Sequence, residues 1–277
     1  MRTHGSKPFV IMAFMVLSTV AACSSLKVKE EEKPAVTNYR EGLEEFSRAN
    51  WSNAISSMEI VTNDYPFSQY STLAELRIIE SHFYEDSYIE ALLHIQNFQD
   101  LHPTNPNMPY ILFLKGESYY RQSLKTGRDP SFTENAAREY RELIERFPES
   151  PYSEPARQRF TDSRGKLASY DISVGRFYYR AAKYNPAIAR LKLALDKYPE
   201  SSDVDRALYY IGKSYFFQGS DAESLEAFRK LCDECAESPY CDKSKPFVLD
   251  LEGDRLVGIG KGRRFKERIV GWFGYFD

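Results

Sequence analysis

An all-α chain of stacked helix pairs is what this sequence predicts, and three observations predict it. The first is a spacing: Ala54, Met58, Val61 and Pro66 return as Ala91, Ile95, Phe98 and Pro103, as Ala136, Tyr140, Leu143 and Pro148, and as Ala187, Leu191, Ala194 and Pro199. Apolar residues at i, i+4 and i+7 share one face of a helix, and a proline ends it. The second is a glycine twelve residues before the small residue, as in Gly42 before Ala54, Gly175 before Ala187 and Gly212 before Ser224. Ser224 opens a looser fifth copy with Phe228 and Leu231. Each copy is therefore the second helix of a closely packed pair. The third observation is that no strand-like alternation competes.

The chain opens on a targeting segment, residues 1–22. Arg2, His4 and Lys7 precede the apolar run Phe9 to Val20, which is shorter than the roughly 20 apolar residues of a spanning helix. The run ends in Val20-Ala21-Ala22-Cys23. These residues resemble the lipobox of bacterial lipoproteins, with Val20 replacing the usual leucine. The bland alternative is an ordinary leader followed by a chance cysteine. The resemblance implies a covalent lipid on Cys23, and Ser24 and Ser25 in place of an aspartate favour the outer membrane. Residues 23–37, charged and containing Pro34, read as a lipidated tether.

Of the 277 residues, 42% are hydrophobic, enough to bury a core. The formal net charge of −3 argues against a general nucleic-acid binder. Loss of Arg2 and Lys7 with the leader makes the remainder about −5.

Residues 38–148 hold three units, 38–66, 72–103 and 109–148. Residues 149–238 hold a long linking helix and two further units, 168–199 and 205–238, the last closing late, at Pro239. In the third unit Gly116 lies twenty residues before Ala136, so about eight residues are inserted, among them the loop-like Thr126-Gly127-Arg128-Asp129-Pro130. Positions 156 to 181 step by four and three, which predicts one helix of about 30 residues and roughly 45 Å. Gly165 within it costs about 1 kcal/mol relative to alanine, which a packed neighbour would offset. Tyr119, Tyr178 and Tyr215 each stand three residues after Gly116, Gly175 and Gly212. The whole resembles the tetratricopeptide repeat, which implies a superhelix of about five helix–turn–helix units.

In such arrays the first helices line the concave face. One step past the tyrosine position stand Phe46, Phe83, Tyr120, Tyr179 and Phe216, with Tyr84 beside Phe83. They are either inter-helix packing or an aromatic ladder in a client groove. Neighbouring inner charges split between the halves. Glu80 and Glu117 lie in units two and three; Arg176, Arg180 and Lys213 lie in units four and five. The split suits partner docking, against the alternative of a solvated face.

Cys232, Cys235 and Cys241 fit a disulfide of either of the first two with Cys241, free thiols, or metal or redox chemistry. A zinc site would need a fourth ligand, and no histidine is near in sequence. The tail, 239–277, carries Lys261, Arg263, Arg264, Lys266 and Arg268 around Glu267, then Ile269, Val270, Trp272, Phe273, Tyr275 and Phe276. It reads as a cap or partner contact rather than a membrane contact. His82, His94 and His102 sit in no catalytic motif, and no phosphate-binding glycine loop occurs. The expectation is no enzyme, no metal and no cofactor beyond the lipid on Cys23.

A more specific resemblance rests on Tyr65-Pro66-Phe67-Ser68, His102-Pro103-Thr104-Asn105-Pro106-Asn107, Arg128-Asp129-Pro130, Phe147-Pro148-Glu149-Ser150 and the stretch Arg164 to Tyr179. Over about residues 38–235 the chain is similar to the BamD family, lipoproteins of the machinery that inserts β-barrel proteins. That resemblance implies a periplasm-facing scaffold whose N-terminal repeats contact unfolded outer-membrane proteins. It also implies C-terminal repeats that dock the barrel-forming insertase subunit, among other assembly lipoproteins, with Arg190 as a basic docking position. The cysteine cluster and the tail depart from the family pattern. Other readings are a periplasmic repeat lipoprotein serving peptidoglycan or cell-division machinery, and a thiol-active factor using Cys232 and Cys235.

Overall fold

The computed structural model describes residues 34–126 and 129–257. Its helices pair as α1 (Ala35–Ser47) with α2 (Trp51–Asp64), α3 (Ser71–Tyr84) with α4 (Tyr88–Leu101), and α5 (Met108–Thr126) with α6 (Ser131–Arg146). Then come α7 (Ser153–Arg180) with α8 (Tyr184–Lys197), α9 (Val204–Gln218) with α10 (Asp221–Glu234), and finally α11 (Pro239–Val257). Among the described residues there is no strand. The architecture is the all-α tetratricopeptide-repeat superhelix that the periodicity predicts. The leader, Cys23 and the basic-aromatic stretch 261–276 lie outside the described residues.

The repeating alanines are sealed: Ala54, Ala91, Ala136 and Ala187 are each 0% exposed. A side chain on the facing glycine would collide with the residue four places later. A Cβ at Gly116 would lie 2.5 Å from the Tyr140 ring, at Gly175 2.5 Å from Leu191, and at Gly212 2.5 Å from the Phe228 ring. In the fifth unit Ser224 takes the alanine's place, and its buried hydroxyl donates to the Gly212 carbonyl at 2.9 Å. The looser copy thus keeps the same close contact.

Two kinds of turn alternate. Within units, the chain reverses through a left-handed residue, Ala49 (φ 57°), Asp86 (φ 63°), Ala182 (φ 55°) or Gly219 (φ 82°). The following N–H reaches five residues back, as from Asn50 to Glu45 and Lys183 to Tyr178, both at 2.9 Å. Between units, Tyr65, His102, Phe147, Tyr198 and Cys235 cap the second helices, and the N–H three residues later bonds each cap's carbonyl at 3.0–3.1 Å. The fifth unit therefore closes in the common register, with Ala236 where the others carry proline. Closure at Pro239 is corrected: the hydrogen-bonded turn stops α10 without a proline, and Pro239 opens α11.

Other local expectations shift. α1 begins at Ala35, inside the stretch read as tether. The insertion in unit three mostly lengthens α5, to 19 residues, so Thr126 is helical, while Asp129 and Pro130 lie between α5 and α6 as their composition predicts. The long helix α7 has 28 residues, and nothing lies within 4 Å of a Cβ at Gly165, so no packing offsets its glycine.

Consecutive first helices touch one another (α1 with α3, α5 with α7, α7 with α9), whereas second helices do not pack together to that extent. The first helices are therefore the inner layer. α11 closes the array, placing Cys241, Phe247 and Leu251 against Leu208, Tyr209, Phe228 and Leu231. This covers the apolar end that a solenoid would otherwise leave in water.

Candidate partner-binding surfaces

The expected aromatic ladder is not one open stripe. Phe83 and Tyr120 are 3% and 8% exposed. The Arg121 guanidinium lies 4.5 Å over Phe83, and Arg159 and Lys166 cover Tyr120 at 4.7 and 3.8 Å. Phe216 packs edge-on against Phe247 of α11 at 5.1 Å. These three positions are packing, because each faces a neighbouring unit or the cap.

Nearer the surface lie two aromatic triads at matching repeat positions. In the first, Trp51 stacks on Tyr84 at 5.5 Å while Phe46 meets them at 5.1 and 6.1 Å. In the second, Tyr184 stacks on Phe217 at 5.9 Å while Tyr179 meets both at 6.1 Å. Tyr84 is 48% exposed. Trp51, Tyr184 and Phe217 are absent from the sequence-derived set, although the interval from Phe46 to Trp51 equals that from Tyr179 to Tyr184. At the intervening joint Arg121 occupies the slot of Tyr84 and Phe217.

Glu80 and Glu117 are struts rather than open client contacts. They are 8% and 4% exposed. Glu80 accepts from Arg77 at 2.5 Å and from Tyr110 Oη of the next unit at 2.7 Å. Glu117 accepts from Tyr140 Oη and from Arg159 Nε of the next unit, both at 2.7 Å. A buried carboxylate is tolerated only with such partners. Burial first, then the adjoining carboxylate, pushes the Tyr110 and Tyr140 phenols far above their usual range, so both stay donors.

The C-terminal basic residues divide between two faces. Arg176 is half-buried and Arg180 exposed, and neither makes a hydrogen bond or ion pair among the described residues. Lys213 is half-buried, its Nζ 5.1, 5.3 and 5.5 Å from the Tyr179, Tyr209 and Phe247 rings. Burial, then the Lys243 ammonium, pushes its pKa down to about 8. Arg190 belongs elsewhere, on α8, where it donates to Asp171 at 2.5 Å. It lines a cleft of about 410 Å³ with Tyr170, Tyr178, Pro186 and Leu193. Its Nε is buried without a partner among the described residues. The cleft was not legible in sequence, since it forms between α7 and α8 only when they pack.

Cys232 and Cys241 are joined in a disulfide that ties α10 to α11. Cys235 is the free thiol, at the helix cap rather than within the helix. Burial, helped by Asp205 and Glu234, pushes its pKa up, opposite to what a reactive thiol needs. Among the described residues no group of three or more His, Cys, Asp or Glu could hold a metal ion.

Fold and surfaces together define a tetratricopeptide-repeat protein with an aromatic surface in its N-terminal half and mixed aromatic and basic surfaces in its C-terminal half. The family model YfiO, described as outer membrane lipoprotein, matches residues 31–240, and the chain belongs to that family. It is 28% identical over 225 residues to the outer membrane protein assembly factor BamD of Caulobacter vibrioides, spanning 80% of this chain and 74% of that one. To BamD of Vibrio cholerae it is 27% identical over 208 residues, spanning 72% and 86%. Among solved structures, a thermophilic tetratricopeptide-repeat protein of Thermus thermophilus aligns with 86% of this chain and 100% of its own, at TM-score 0.35 and 16% identity. No helix among the described residues is long and apolar enough to cross a membrane.

Proposed function

We propose that the chain is a non-catalytic scaffold lipoprotein in the assembly of outer-membrane β-barrel proteins. Family membership across residues 31–240 carries this reading, and the assembly-factor relatives support it. Lipid on Cys23 anchors it to the outer membrane, facing the periplasm. The N-terminal aromatic surface around Phe46, Trp51 and Tyr84 receives unfolded clients, since rigid aromatics offer apolar area at low entropic cost. The C-terminal half docks the barrel-forming insertase subunit through the Arg190 cleft, with Arg176 and Arg180 available to other acidic partner segments. Depletion should lower barrel-protein levels in the outer membrane; unchanged insertion would reject the reading. Photocrosslinkers at Tyr84 and Arg190 separate the two faces, the first capturing nascent barrel chains and the second the insertase.

A further inference from the structure

Phe67 is 102% exposed, more than any other large hydrophobic residue among the described ones. It stands immediately after the closing proline of the first unit. The same slot in later loops holds Thr104, Glu149, Glu200 and Glu237, all polar. Its loop, Tyr65-Pro66-Phe67-Ser68-Gln69-Tyr70, carries no charge. No neighbouring unit needs this aromatic for packing.

The loop lies where the described chain begins. Tyr39 of α1 stacks on Tyr70 at 5.3 Å, and Ala35 packs against the same small core as Tyr70. Val36 at 40% and Leu73 at 42% exposure stand on this edge, in the first turns of α1 and α3. Leu101, the last residue of α4, is 70% exposed and reaches the same edge of the second unit. Ten residues separate Cys23 from Pro34. Even fully extended they span only about 35 Å. A lipid on Cys23 would therefore tether the chain from this edge of the first unit, where α1 begins.

We propose that the 65–70 loop, with Val36 and Leu73, is a lipid-contact site that seats the edge of the first unit in the headgroup region of a phospholipid bilayer. This rests on the lipid anchor of the functional reading. The anchor retains the chain, and the loop orients it. Phe67 enters the boundary layer where aromatic side chains concentrate, flanked by Tyr65 and Tyr70, and the absence of charge lowers the cost of approach. The superhelix then leaves the membrane from its first unit, with later units in the aqueous space.

The test uses the full mature chain, lipidated at Cys23, in vesicles of phosphatidylethanolamine and phosphatidylglycerol. In a Cys235→Ser background, a spin label is placed by Phe67→Cys or by Glu85→Cys on the opposite, within-unit edge. Both positions are exposed, so neither variant disturbs the core. Collision with oxygen against an aqueous nickel chelate reads lipid contact. The oxygen-to-nickel ratio should rise severalfold at position 67 on reconstitution and stay unchanged at 85. No rise at 67 overturns the proposal. A rise without vesicles, on adding an unfolded barrel protein, also overturns it and makes the loop a client contact. Barrel levels after depletion test the assembly reading separately, so a vesicle failure with an intact depletion phenotype rejects the lipid site alone.

Discussion

Glu117 in the third unit and Arg159 in the fourth are joined by a 2.7 Å hydrogen bond, and Tyr140 donates to the same carboxylate oxygen. One buried carboxylate therefore links two helices of its own unit to the next inner helix. Removing it leaves a guanidinium and a phenol without their acceptor. Glu117→Ala should cost about 2–4 kcal/mol in urea denaturation, toward the lower end because Arg159 is partly exposed. Glu44→Ala, which removes a surface pair with Arg48, should leave the midpoint unchanged. Equal small effects for both would contradict the strut.

Two glycines make opposite predictions. At Gly116 a methyl group would meet the Tyr140 ring, which is 0% exposed and held by Glu117, so Gly116→Ala should destabilise by about 1–3 kcal/mol. Gly165→Ala meets nothing and should gain up to about 1 kcal/mol of helix propensity. Thermal unfolding of the two variants gives the order directly.

Lys213 sets an alkaline signature. Its folded pKa of about 8 lies below the ordinary lysine value, so between the two the unfolded chain binds the extra proton. Lys213 should itself add about 1–2 kcal/mol as pH goes from 8 to 10. Tyrosines ionise in the unfolded chain over the same interval, while Tyr110, Tyr140, Tyr179 and Tyr209 stay protonated in the folded one. The lysine's share is therefore read as the difference between the wild-type chain and Lys213→Met. The stability of the wild-type chain relative to Lys213→Met should rise over this interval. A difference that stays flat with pH would show that the three rings offset the desolvation.

The disulfide closes a short loop, with a sequence separation of 9. Chain entropy assigns it about 2–3 kcal/mol. Cys241→Ser should speed amide exchange across α11 while leaving α1 to α4 protected. If exchange in α11 is unchanged, packing of Phe247 and Leu251 suffices to hold the cap.

Much of the fold was legible because its rules are local. A small residue followed by apolar residues at four and seven is a property of one helix, and it marks α2, α4, α6 and α8 without knowledge of any neighbour. Local reasoning failed where a partner unit decides exposure. Phe83 and Phe46 occupy the same repeat position, yet Arg121 covers the first while the second joins Trp51 and Tyr84. Glu117 and Arg176 also share a position: the first is buried between units, and the second has no ion partner among the described residues. The closing register of the fifth unit was obscured because Ala236 lacks the ring that marks the other stops.

By itself, then, the sequence determined the number of helix pairs, their glycine-to-apolar contacts and the long α7, since these follow from spacings within a few turns. Tertiary structure alone decided which aromatics are surface, which carboxylates are struts, which cysteine stays free and where the Arg190 cleft opens. Those outcomes depend on side chains from adjacent helices and units, separated by roughly 20 to 40 residues along the chain, whose approach fixes both burial and charge partners.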